Sequence, residues 1–198
     1  MEKTWPVWIG GMLGLAAIVF AFATQAGVVN QWHEAAHYTA RVGFPFLILA
    51  YVARSLVKLT RSDWAKYILA RRKYFGLGFA VAHTIHLAAL ITAIEVSGEG
   101  KGIVTYVFGG AAYAILYVMA FTSNTAAMKA MGVWWKRVHR VGIHYLWFIF
   151  FQSYADRMTD PQQAMVAIPF TIIALAAAAV RFTAWWKSRQ RKPAQADS

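Results

Sequence analysis

Histidines in and beside long apolar stretches are the residues of this chain whose type and spacing best indicate chemistry. An imidazole ring is costly inside an apolar membrane bundle, so each one needs compensation by a ligand, a metal or a hydrogen bond. The chain has six histidines, and four of them stand inside apolar stretches. They are His33, His37, His83, His86, His139 and His144.

Helical spacing determines which of the four embedded histidines share a helix face. His83 and His86 are three residues apart, so their rings project from the same face. His139 and His144 are five residues apart, a rotation of about 140° on a helix, so their rings face different directions. We therefore expect His139 and His144 each to meet a group on another helix.

Haem iron is the metal centre that such an arrangement indicates, because imidazoles on facing helices ligate a macrocycle held between them. His86 lies about 21 Å along a helix from Arg72, beyond the midplane of a hydrocarbon core of about 30 Å. The chain has no cysteine, which excludes cysteine-ligated iron–sulfur clusters, thiolate-ligated haem and covalently attached c-type haem. For every embedded histidine the alternative is a hydrogen bond to a neighbouring carbonyl or hydroxyl group.

The string HEAAH, from His33 to His37, matches the H-E-x-x-H zinc motif. Its two histidines are four residues apart and share a helix face. A zinc hydrolase would also need a third ligand and a water-filled cleft. We therefore interpret the pair as interfacial polar residues at the outer end of the second predicted helix, with contact to a haem edge or propionate as the alternative.

Composition indicates a membrane protein. The 198 residues are 59% hydrophobic and 14% charged, against roughly 25% charged residues in soluble domains. Six segments approach the ~20 apolar residues that a membrane-spanning helix needs. We therefore predict an all-α membrane protein, a six-transmembrane-helix bundle forming a single domain over 1–198 with a polar C-terminal tail at 187–198. The predicted spans are 6–26, 38–53, 74–96, 103–121, 138–154 and 164–186.

The net charge of +12 reflects membrane topology rather than nucleic-acid binding. Seventeen of the twenty Lys and Arg fall on one side of the predicted bundle, and the other side receives Arg41, Lys101 and Arg157. Cytoplasmic loops of membrane proteins carry the excess of Lys and Arg. We therefore predict that both termini are cytoplasmic, in a bacterial inner membrane, and that nucleic acid is not a partner.

The alternative for the first segment is a cleaved signal peptide, because Ala21-Phe22-Ala23 fits the small-x-small cleavage pattern. The apolar run from Trp5 to Ala23 is, however, longer than the usual apolar region of about 7–15 residues in a signal peptide. We expect a retained first helix.

Two motifs resemble the ferric reductase-like transmembrane domain family. Segment 71–77, RRKYFGL, followed by IHL at 85–87, is similar to the family pattern RRxxGL…LHL. Thr122-Ser123, followed by GVWWKRVHR at 132–140, is similar to its TS…GxxWxRLHR. The resemblance covers about residues 40–154 in the same helix order, and is closest to the haem-binding membrane subunit of the bacterial periplasmic methionine sulfoxide reductase system.

The resemblance implies one or two b-type haems between the third and fifth helices, and electron transfer from the cytoplasmic to the outer side. His86 and His139 match the family's haem-ligand positions, and His83 is a further candidate. Basic residues near the cytoplasmic end are candidates to bind haem propionates, and we select Arg72 and Arg140. The alternative for both arginines is a purely topological charge.

One position departs from the family pattern. A further histidine is usual one long step down the fifth helix, and this chain has Gln152 there. An amide is a poor haem ligand, so three outcomes stay open: His144 replaces it at a different depth, the haem is five-coordinate on His86 or recruits His37, or the site is lost.

The chain has no glycine-rich dinucleotide motif and no room for a flavin domain, so we expect a separate electron donor, either a quinol or a flavin reductase. The acceptor is expected to be a periplasmic protein or a membrane complex. A haem-free structural or accessory subunit of a larger complex is the alternative, and a transporter with a histidine proton relay fits less well.

Overall fold

A computed structural model describes residues 3–100 and 102–190, which form seven helices and no strand. Five of these helices, α1, α2, α3, α4 and α7, are long and apolar enough to cross a membrane. The predicted all-α class is therefore confirmed. In chain order the helices are α1 (Trp5–Thr24), α2 (Val28–Thr60), α3 (Asp63–Ser97), α4 (Ile103–Phe121), α5 (Thr125–Met131), α6 (Val133–Ala155) and α7 (Ala164–Gln190).

Helix α6 corresponds to the fifth predicted span, but its composition does not identify it as one. Its two histidines, its cations and its Tyr and Trp residues lower its hydropathy below that of the other long helices. It has 23 residues, about 35 Å at a rise of 1.5 Å per residue. It packs against α4 and α7 and buries Ile143, Leu146 and Phe150 in the core.

The helices extend beyond the apolar segments that predicted them. The predicted basic connection at 54–73 is almost entirely helical, because α2 ends at Thr60 and α3 begins at Asp63. Arg61, with φ 53°, makes the turn between them. Lys and Arg are good helix formers, so a helix continues past the point where its apolar run ends.

Other predicted connections differ in the same way. The predicted link at 27–37 is helical from Val28, and the predicted loop at 122–137 contains α5 and the start of α6. The polar turn between α6 and α7 is confirmed. The first residues of the predicted polar tail, 187–190, are the last of α7, and residues 191–198 lie outside the described residues.

The core is built from aromatic and aliphatic side chains of α2, α3 and α6. Phe44, Leu47 and Tyr51 of α2 pack with Phe79 of α3 and Phe150 of α6. Large apolar side chains also cover the outer surface of α1, α4 and α7. An outer surface this apolar suits a hydrocarbon environment rather than water.

Glycines bring α1 against α3. A Cβ atom on Gly10 would lie 2.5 Å from the carbonyl oxygen of Gly78, and a Cβ on Gly78 would overlap the carbonyl oxygen of Pro6. Small residues allow the backbones of membrane helices to approach closely, where dispersion contacts hold them together. The α1–α3 contact therefore depends on hydrogen as the side chain at both positions.

We predict that Gly10→Ala destabilises the bundle by about 1–3 kcal/mol, because the added methyl group has no space and the helices must separate. Gly110→Ala is the matched control, since nothing lies within 4 Å of a Cβ at that position of α4. Thermal unfolding of both variants in the same detergent checks the difference. Equal midpoints for the two variants would contradict the close contact.

Candidate functional site: two histidine-lined cavities

Two cavities lie end to end inside the bundle. The His86 cavity has a volume of about 580 Å³ and the His139 cavity about 960 Å³, each named for a histidine in its wall. Both contact Phe79, Leu116 and Leu146, which form the partition between them. Cofactor pockets typically occupy about 300–1,000 Å³, so each cavity has the size of a cofactor site.

His86 projects from α3 with one ring nitrogen fixed by α2. The Thr39 hydroxyl lies 2.6 Å from the Ala35 carbonyl oxygen, which can only accept, so the hydroxyl donates its single hydrogen there. The Thr39 oxygen therefore accepts from His86 Nδ1–H, at 3.1 Å. This leaves the lone pair of the ring on Nε2. A histidine oriented in this way is prepared to ligate a metal, because metal-ligating histidines usually donate their other N–H to a protein oxygen.

His83, one turn before His86, is buried, and no described residue bonds its Nδ1 atom. Its ring packs on Phe79 and Phe150. A Cβ on Gly43 of α2 would overlap the His83 ring, so Gly43 provides the space for that ring. Tyr113, which lines the same cavity, has a buried hydroxyl group that is likewise without a partner. These two buried polar atoms have no partner among the described residues, and the His83 atom lies against Gly43 of α2 rather than toward the cavity.

His33 and His37 lie at the start of α2 and contact the same cavity. Their rings are 4.5 Å apart, and His37 Nδ1 lies 3.5 Å from Glu34 Oε1. The structure therefore places His37 in the wall of the same cavity as His86 and His83. The alternative in which a haem bound by His86 also recruits His37 requires this placement.

His139 is fixed by the same device on another pair of helices. The Thr122 hydroxyl lies 2.6 Å from the Val118 carbonyl and so donates to it, and its oxygen accepts from His139 Nε2–H at 2.9 Å. The lone pair of this ring is therefore on Nδ1. Trp135 stacks on the ring, with centroids 4.2 Å apart.

His144 also contacts the His139 cavity, but both of its ring nitrogens are engaged. Arg181 can only donate, so His144 Nε2 accepts from its Nη2 atom at 2.9 Å. Nδ1 then carries the proton and bonds the Tyr51 hydroxyl at 3.1 Å. The same guanidinium donates to the Tyr51 carbonyl at 2.6 Å and lies over the Tyr51 ring. His144 is therefore a structural link between α2, α6 and α7 in this arrangement.

The wall of the His139 cavity is strongly basic. Among the described residues it contains seven cationic side chains and no acidic one. Arg72, one of the predicted propionate ligands, is fixed by donating from Nε to the Ala50 carbonyl at 2.8 Å. Arg140, the other, is exposed and contacts the same cavity. The seven are Arg54, Lys58, Arg72, Lys73, Lys136, Arg140 and Arg181.

The structure places His86 and His139 in different cavities, so the two predicted ligand positions do not share one site. Gln152 is exposed and contacts neither cavity. Its neighbour Ser153 faces the His86 cavity instead. The helical rotation of α6 therefore turns the amide outward, and the described part of α6 brings no imidazole into the His86 cavity.

Thr39, Tyr51 and Arg181 were not singled out from the sequence, and Thr122 entered only as part of a motif, without a role. Their function depends on contacts between helices, and spacing along one helix contains no signal for such contacts. Threonine within an apolar stretch is the only feature that would have suggested two of them.

No family model matches the chain, and no solved structure matches it. The functional interpretation therefore depends on the geometry of the two cavities.

We predict that Tyr51→Phe destabilises the bundle by about 0.6 kcal/mol, and by no more than about 1.7 kcal/mol, the range for hydrogen bonds between membrane helices. The variant leaves His144 Nδ1–H without an acceptor. Tyr74→Phe is the control, because the Tyr74 hydroxyl has no hydrogen-bond partner among the described residues. Unfolding free energies measured in bicelles check the pair, and equal values would show that the His144 link contributes nothing.

Proposed function

We propose that this chain is a b-type haem membrane protein that relays electrons across a bacterial inner membrane, in a bundle where α6 provides a sixth crossing. One observation carries the proposal: two cofactor-sized cavities lie back to back, and each contains a histidine with one nitrogen hydrogen-bonded and the other unprotonated. When bound, b-type haem supplies a one-electron carrier.

The residues of both cavities fit such a group. His86 would ligate it in one cavity and His139 in the other, since both imidazoles retain a lone pair for a metal. Nothing lies within 4 Å of a Cβ built on Gly76 or Gly109, one in each cavity wall. Those two glycines therefore leave room for a flat macrocycle.

The cations of the His139 cavity have a separate task. Their guanidinium and ammonium groups would neutralise carboxylates of the bound group, with Arg72 already oriented by the Ala50 carbonyl. A basic rim also attracts an acidic donor protein or an anionic reduced cofactor. Under the positive-inside rule the end of the bundle with the His139 cavity is cytoplasmic. A quinol or flavin reductase would therefore donate electrons at this end, and a periplasmic acceptor would receive them at the opposite end.

The partition between the cavities excludes water. Phe79, Leu116 and Leu146 are each no more than 3% exposed. An apolar wall of this kind keeps the surroundings at low dielectric, which influences the potential of a redox centre. It also separates the two sites by no more than a few side chains, so an electron need not pass through solvent.

We predict b-type Soret and α bands in the reduced-minus-oxidised spectrum of protein expressed with ample haem, and two haems per chain by extraction. His86→Ala and His139→Ala should each remove about one haem, because each variant empties one cavity of its ligand. Gln152→Ala should leave haem content unchanged, since that side chain faces outward. A spectrum without haem bands would favour the alternative function, a haem-free accessory subunit. One structural observation also favours that alternative: α6 contributes no imidazole to the His86 cavity.

Thr39 provides a more selective test. Thr39→Val removes the oxygen that accepts from His86 Nδ1–H, which lowers the basicity of the imidazole and raises the reduction potential of a haem that it ligates. Thr39→Ser retains the oxygen and should keep the wild-type potential. Redox titration of the α band compares the three proteins. An unchanged potential in Thr39→Val would show that Thr39 does not orient a ligand.

A further inference from the structure

The HEAAH turn at the start of α2 gathers three metal-binding side chains at one point. A ligand atom from each of His33, Glu34 and His37 lies within 4.8 Å of the other two. His33 is exposed and the other two are half-buried. Both histidines contact the His86 cavity, so the cluster is open to solvent and continuous with that cavity.

We propose that His33, Glu34 and His37 bind a divalent transition-metal ion, Cu²⁺ most tightly and Zn²⁺ next. Two imidazoles and one carboxylate suit these metals. Three protein ligands leave a coordination position open. The proposal does not depend on the haem function, because that proposal assigns the iron to His86 and His139, and His37 enters only as an alternative partner of His86.

The helix itself orders the cluster. The i, i+4 spacing holds the two imidazoles on one face with their centroids 4.5 Å apart. Between them in sequence, Ala35 and Ala36 are buried in a small cluster with residues of α1 and α3. That packing fixes the backbone of the helical turn that carries the three ligands, so the backbone needs little further ordering when the ion binds.

Charge near the cluster selects the kind of ion. Arg41, Arg157 and Glu99 contact the same cavity, and Glu34 is the single carboxylate of the cluster. Ca²⁺ and Mg²⁺ need several oxygen ligands, and two nearby arginines weaken purely ionic attraction. Imidazole nitrogen binds Cu²⁺ and Zn²⁺ strongly, with Cu²⁺ at the top of the affinity order for divalent first-row metals.

The test uses full-length protein purified in detergent without added haem and treated with a chelator. Titration with Cu²⁺ should give one ion per chain, with an electron paramagnetic resonance spectrum split by two imidazole nitrogens. Zn²⁺ should displace the copper signal, and Mg²⁺ should not. His33→Ala and His37→Ala should each weaken Cu²⁺ binding by more than ~10-fold, the least expected on disturbing a metal site. Gln152→Ala, which removes an exposed side chain that contacts neither cavity, should retain the wild-type affinity.

Copper binding that survives in the His33→Ala/His37→Ala double variant, or a signal without nitrogen splitting, would overturn the proposal. If the histidine variants fail to fold, wild-type protein provides the second measurement: bound Cu²⁺ should protect His33 and His37 from diethylpyrocarbonate. Modification of both at an unchanged rate would also overturn it. Because the copper signal and the protection of His33 and His37 are read directly, their outcome is independent of the haem spectrum.

Discussion

The two cavities depend on a hydrogen-bonding constraint that is met in the same way twice. A threonine hydroxyl donates back to the carbonyl four residues earlier in its own helix, and its oxygen then accepts an imidazole N–H from a different helix. Thr39 does this for His86 and Thr122 for His139. An imidazole in an apolar bundle must be satisfied at low cost, and this arrangement satisfies one nitrogen while it leaves the other with a lone pair. The free nitrogen is what makes these rings candidates for iron.

The other two embedded histidines, His83 and His144, have no threonine partner, and their surroundings differ. His144 is saturated by Tyr51 and Arg181, and it therefore joins three helices rather than offering a ligand atom. His83 packs on Gly43, and no described residue bonds its Nδ1 atom. Four imidazoles of the same chemical type thus have three different roles, and the neighbouring helix decides which.

Much of the fold could be predicted from the sequence, because apolar runs of membrane length identify helices without knowledge of their partners. The all-α class, the helix order and the turn between α6 and α7 follow from such runs. Helix ends were less predictable, since the basic segment at 54–73 is both polar and a good helix former. The membrane crossing of α6 stays a prediction, because its polar face lowers its hydropathy.

The candidate site was predicted in its residues but not in its grouping. The spacing of His83 and His86 placed both on one face, and both do contact one cavity. The family resemblance selected both His86 and His139 without assigning them to one haem or to two, and the bundle separates them by the partition around Phe79. Gln152 faces outward because of its helical rotation on α6, which motif position alone does not specify.

A structure of the protein purified with haem tests the central claim most directly. The account predicts one flat macrocycle in each cavity, with iron bound by His86 in one and by His139 in the other, on opposite sides of Phe79 and Leu146. Cavities filled by lipid or by repacked side chains, with both imidazoles bonded only to protein, would contradict it.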